Sequence, residues 1–201
     1  MIKITIIPIA IILFFTPAFL FGNEEITFHT YGQKYFLPFG HGRSTDLNIL
    51  KKRITGRYGD YRKSYVPGHM HAGIDLKGDF NEPVYSIGKG TVTHILRDFP
   101  HKTIYIRHND SRGKPFYSAY VHVEDIKIQV GDRVTKDTPI ARIFNEEELR
   151  ASDFGTPPHL HLEIRHNISD NGAASYKSMS VSELNKYCID PLVFFEKLKQ
   201  K

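Results

Sequence analysis

From Ile54 onward the chain turns into a succession of short apolar runs cut by turn residues. Val84-Tyr85-Ser86-Ile87, Gly90 to Ile95, Thr103 to Ile106 and Phe116 to Val121 are rich in β-branched and aromatic side chains. Gly, Pro, Asn and Asp separate them at close intervals, a texture that predicts an antiparallel, mainly β domain. Pro83 suits the first position of a strand, and Gly78, Gly88, Gly90, Gly113 and Gly131 mark turns. The clearest strand comes late. In His159-Leu160-His161-Leu162-Glu163-Ile164 the alternation is strict, so the three aliphatic residues face a core while His159, His161 and Glu163 face the other way.

Elsewhere the pattern is weaker. Ile26 to Leu50 is polar-aromatic and broken by Gly32, Pro38, Gly40 and Gly42, which predicts short strands and loops. Asn145 to Ala151 interrupts the β texture. It could close one helical turn under an Asn145 cap, but reads as the start of a loop that runs to Pro158 and walls a cleft beside His159. Ser169 to Ser180 reads as a polar linker. Ile189-Asp190-Pro191 then starts a short C-terminal helix, Leu192 to Lys199, with Asp190 as its cap and Pro191 at its first position.

The N-terminus has a different grammar. Lys3 precedes an uncharged stretch from Ile4 to Phe21, the arrangement of an export signal. The stretch reaches about the 18 residues at which a membrane span becomes feasible, while Pro8 and Pro17 oppose an uninterrupted helix. The 201 residues therefore divide into 1–22 as signal peptide or N-terminal anchor, 23–52 as an N-terminal extension, 53–195 as the main domain and 196–201 as a tail. An exported location, in the periplasm or cell envelope, is expected, with residues 4–21 as the anchor if they are retained. Cys188 is the single cysteine, so no intrachain disulfide can form and a buried thiol is its expected state. A net charge of +5 and a pI near 9.2 favour an anionic surface such as a cell-wall polymer, a membrane or a nucleic acid. No Lys/Arg block forms a nucleic-acid footprint.

Two short words carry the chemistry. His71-Ala72-Gly73-Ile74-Asp75 and His159-Leu160-His161 offer three histidines and one carboxylate, the donor types of a hydrolytic zinc site. Three protein ligands with a fourth position left to water make such a site catalytic; four would close it. His71 and Asp75, four apart, share a face of a strand or a helix, and His159 and His161, two apart, share a face of a strand. Spacing alone does not decide which of His159 and His161 is the ligand. His69, two residues before His71, is a rival donor that lacks the x-Gly-x-Asp continuation.

In order along the chain, Ile54-Thr55-Gly56-Arg57-Tyr58-Gly59, His71 to Asp75, Glu82-Pro83-Val84-Tyr85, Ala119-Tyr120-Val121-His122, Pro158 to Glu163 and Ile189-Asp190-Pro191 resemble one family. It is that of the lysostaphin/LytM-type zinc metallopeptidases, which cut peptide bonds in bacterial peptidoglycan. The resemblance spans residues 53–195. It implies a lysostaphin-like fold of antiparallel sheets (a duplicated hybrid motif) and one Zn2+ ion held by His71, Asp75 and His161. It makes His122 and His159 the catalytic histidines. The implied activity is that of a zinc metalloendopeptidase, a zinc-activated water hydrolysing peptide bonds in peptidoglycan cross-links or stem peptides. The alternative is a non-catalytic regulator of other wall hydrolases, since some members of the family have lost their ligands. The physical reason for the residue types is plain. Zinc lowers the pKa of a bound water from about 15.7 towards about 7, and histidine, near 6.5, exchanges protons in the same range.

Other residues are placed around this set. Glu163, on the face of His159 and His161, either orients a ligand imidazole or is a solvated carboxylate. His122 lies in the extended run Tyr120-Val121-His122-Val123, where a histidine is usually a packing residue. His108 reads as structural, and His29, His41, His94, His101 and His166 as surface residues. The chain departs from the family pattern in three places: the Arg expected soon after Gly59 comes one place late, at Arg62, Tyr120-Val121-His122-Val123 conservatively replaces the more usual Ala and Leu, and Asn145 to Phe154 replaces a Gly-rich approach to the His-Leu-His word. Gly131-Asp132-Arg133-Val134 also resembles the strand-turn of biotinyl and lipoyl carriers, but the Met-Lys-Met attachment site is missing.

Overall fold

The structure, a computed structural model, describes residues 34–39, 44–63, 68–153, 156–168 and 178–199. The segment read as signal or anchor lies outside the described residues, as do His29, His41 and most of the polar linker. Among the described residues no helix is long and apolar enough to cross a membrane.

Antiparallel sheets dominate. The main sheet runs β1 (Ile54–Gly56), β4 (Ile74–Lys77), β12 (His159–Arg165), β8 (Pro115–Val121), β7 (Thr103–Asn109), β6 (Gly90–Leu96) and β10 (Arg133–Val134), and β13 (Cys188–Ile189) also pairs with β12. A second sheet holds β5 (Pro83–Tyr85), β11 (Pro139–Ile143) and β9 (Val123–Glu124), while β2 (Tyr61–Arg62) and β3 (His69–Met70) form a small hairpin. The alternation in β12 does what its period dictates. Leu160, Leu162 and Ile164 are fully buried, with Leu160 opposite Leu76 and Leu162 between Ile74 and Tyr120. Each such side chain contributes about 1.5–3 kcal/mol on leaving water.

Two stretches expected without helix contain one. Leu47–Arg53 is helical, with Asp46 accepting from Asn48 N–H and Lys51, Lys52 and Arg53 facing the negative end of the dipole. Leu47 and Leu50 are its buried residues, too few to show a helical period, and Tyr35, Leu37 and Phe39 join them in the main core. Glu146–Ser152 is a helix rather than the start of a loop. Asn145 and Glu148 cap each other reciprocally, and Arg142 grips both oxygens of Glu148 at 2.7 and 2.8 Å. The C-terminal helix Pro191–Lys199 forms as expected, Asp190 accepting from Leu192 N–H at 2.8 Å. Phe194 packs against Tyr35 and Phe116, and Cys188 is buried.

The register of β12 builds the site. His161 lies opposite Asp75 of β4 on one side and opposite Val121, the last residue of β8, on the other. Residues distant in sequence are thus brought to one end of the sheet.

Candidate metal centre

His71 is not on a strand. It sits in the connector between β3 and β4, its backbone tied to the Gly59–Asp60 turn by hydrogen bonds in both directions. It and Asp75 therefore do not share one element's face; the connector swings the imidazole over β4. Gly73 permits this, since a Cβ there would stand 2.2 Å from the Leu162 carbonyl oxygen of β12.

Nε2 of His71, Oδ1 of Asp75 and Nδ1 of His161 converge, with mutual separations of 2.8, 3.0 and 3.0 Å. Each ring directs its other nitrogen outward. Nδ1–H of His71 donates to the Arg57 carbonyl at 2.7 Å, and Nε2–H of His161 donates to Glu163 Oε1 at 3.0 Å. Neutral imidazoles in these tautomers aim two lone pairs and a carboxylate oxygen at one spot, so a proton or a cation must sit among them. Burial lowers the His161 pKa, but the bonds to Asp75 and Glu163 outweigh it and hold the ring at about 9. Burial opposes ionisation of Asp75 as well, yet the two imidazoles keep its carboxyl far below the usual range. His71 is pulled down by burial.

The donor set fits zinc. A triangle with these sides has its corners about 1.7 Å from its centre, so a point about 1.1 Å off its plane lies about 2.0 Å from all three, zinc's bond length to N and O. Glu163 completes the support: its second oxygen accepts from Arg165 Nη1 at 2.7 Å, and both side chains are buried. Asp75 Oδ2 is held by Arg62 Nη2 at 2.8 Å.

His122 and His159 stand beside this set. Their ring centroids are 5.1 Å apart, and His122 is 6.2 Å from His161. His122 is not in a strand but at the kink between β8 and β9, with φ of 65°, an uncommon backbone region for a non-glycine residue. Its Nδ1 donates to the Pro100 carbonyl at 3.0 Å; Nδ1 of His159 donates to the Pro157 carbonyl at 2.9 Å. Burial, reinforced by His159 and His161 nearby, keeps His122 well below its ordinary pKa, and burial also lowers His159.

The sequence model of peptidase family M23 matches residues 69–174, just over half of the chain. The chain belongs to peptidase family M23. Solved structures similar to this M23 chain include LytU, 26% identical, with 72% of this chain and 85% of that one covered and a TM-score of 0.52. The catalytic domain of lysostaphin from Staphylococcus simulans is 22% identical, with 75% and 96% covered and a TM-score of 0.52. Lysostaphin itself is 22% identical at a TM-score of 0.54, and the M23 chain spans 57% of its length. The likeness to lysostaphin concerns the fold. No curated protein matched.

The M23 fold thus brings His71, Asp75 and His161 together, with His122 and His159 alongside, while His69 is outside the three-residue set. His108 is buried between the Lys89 carbonyl and Ser118 Oγ, as a structural histidine should be. His101 was read as a surface residue; it is exposed, yet its ring lies 5.3 Å from that of His122. The turn before β7 carries it there, a placement with no local sequence signal. Phe144, the residue before the Asn145 cap, stacks on the half-exposed Phe99 and meets His122 edge-on.

Proposed function

We propose that the chain is an exported zinc metalloendopeptidase that hydrolyses peptide bonds in peptidoglycan cross-links or stem peptides. The observation that supports this best is the pairing of a three-donor set, one carboxylate oxygen and two imidazole nitrogens, with two further histidines held by backbone carbonyls. Zinc in that set would polarise the scissile carbonyl and bring water's pKa from about 15.7 towards about 7.

The remaining work falls to the protein. Asp75 and His161 are locked by Arg62 and by Glu163–Arg165, so the donors need no reorganisation during turnover. His122 and His159, neutral near pH 7, present Nε2 as proton acceptors. A proton taken from the attacking water at His159 returns to the departing amine nitrogen as the peptide C–N bond breaks. A regulator without catalysis would have no use for this arrangement, and all five side chains are in place. Lys3 followed by the uncharged run Ile4 to Phe21 supports delivery to the periplasm or cell envelope, and the basic net charge suits an anionic wall.

The test is digestion of purified peptidoglycan with and without a chelator, followed by mass analysis of the released muropeptides. Chelator-sensitive release with a gain of one water per cut is expected. No release from protein that carries zinc would contradict the proposal.

A further inference from the structure

A carboxylate ligand can give zinc one oxygen or two. With two histidines and a two-oxygen carboxylate, four donor atoms surround the ion before any water arrives, and water can join only as a fifth ligand. The way Asp75 is held bears on that choice. Its Oδ1 faces both imidazoles at 3.0 Å, whereas Oδ2 is turned to Arg62 Nη2 at 2.8 Å. Arg62 comes from the β2–β3 hairpin, outside the main sheet, so the contact is made across the fold.

A second feature keeps the pair in place. Gly56 of β1 lies opposite Asp75 in the ladder, and a Cβ there would stand 2.3 Å from Asp75 Oδ2 and 2.4 Å from Arg62 Nη2. The sheet edge thus leaves a notch of one missing methyl group, and the ion pair fills it. Both features act on the oxygen that points away from the imidazoles.

Resting on the zinc reading above, we propose that Arg62, seated in the Gly56 notch, is a positioning residue that restricts Asp75 to one donor oxygen, so that water completes a four-coordinate shell and not a five-coordinate one. The guanidinium engages Oδ2 and places a positive charge on the ligand's outer side, so the carboxylate cannot swing to chelate. Removing Arg62 frees Oδ2 to enter the coordination shell.

Cobalt substitution reads this directly, since four-coordinate Co2+ absorbs visible light several-fold more strongly than five- or six-coordinate Co2+. The full chain, the Arg62→Met, Arg62→Lys and Gly56→Ala variants are each loaded with Co2+ and their absorbance per bound ion compared. Intense four-coordinate bands are expected for the unaltered chain and for Arg62→Lys, and several-fold weaker bands for Arg62→Met. Gly56→Ala, which keeps Arg62 but fills the notch, should show the same weakening and decides the matter if Arg62→Met does not fold. Equal band intensity in the unaltered chain and the folded variants would overturn the inference while leaving the zinc reading intact. Weak bands in the unaltered chain would do likewise. No Co2+ binding by the unaltered chain would overturn both.

Discussion

Replacing Glu163 by Gln separates the two tasks of that side chain. Glu163 Oε1 accepts from His161 Nε2 at 3.0 Å, Oε2 accepts from Arg165 Nη1 at 2.7 Å, and the two residues are 3% and 0% exposed. An amide can accept from only one of these neighbours and presents an N–H to the other. Loss of the anion should cost about 10- to 100-fold in zinc affinity, the usual range for a carboxylate that orients a ligand histidine. It also takes from buried Arg165 the carboxylate to which it donates, which costs about 3–5 kcal/mol of stability in the metal-free protein. The first effect is measured by competition with a chromophoric zinc chelator, the second by urea unfolding. A double variant, Glu163→Gln with Arg165→Met, removes the stranded charge. Its stability should recover most of the loss while its zinc affinity stays low. Zinc bound by Glu163→Gln as tightly as by the unaltered chain, or an affinity repaired by Arg165→Met as well, would refute this role of Glu163.

Other substitutions probe other parts of the account. His122→Gln and His159→Gln should each retain one zinc per chain yet lower hydrolysis by about 10²–10⁴-fold, checked by metal analysis beside muropeptide release; loss of zinc in His159→Gln would reverse the assignment of His159 and His161. Gly73→Ala should push the connector away from the Leu162 carbonyl, costing about 1–3 kcal/mol in melts and weakening zinc binding through His71. Burial lowers the His108 pKa from 6.5 to about 4. The unfolded chain therefore takes up that proton first as the pH falls, so the contribution is complete above about pH 6.5 and lost towards pH 4, about 3 kcal/mol in all. His108→Gln should flatten the slope of stability with pH across that window; an unchanged slope would place the acid sensitivity elsewhere.

What could be read from the chain and what could not follows the range of each interaction. The strands with strict alternation or dense β-branching were legible because a period of two needs only neighbouring residues, and β12 shows it best. The helix at Glu146–Ser152 carried a legible cap in Asn145-x-x-Glu148, but without an apolar stripe to confirm it the cap alone did not speak for a helix. The motif words named the donors, but not how they meet. His71 reaches the site from a connector, and His122 from a kink with positive φ; both depend on β12 lying between β4 and β8, a pairing between residues about 40 to 90 apart. Arg62 looked merely displaced by one position until the hairpin brought it to Asp75. His101 had no signal because its neighbour His122 is supplied by another strand end.

The central claim is that His71, Asp75 and His161 together hold one zinc ion. Metal analysis of chain purified without chelator, alongside His71→Ala and His161→Ala, tests it most directly. One zinc per chain in the unaltered protein and none in either folded variant is the predicted result. Zinc retained at full stoichiometry in both variants, or absent from the unaltered chain after incubation with zinc, would contradict it.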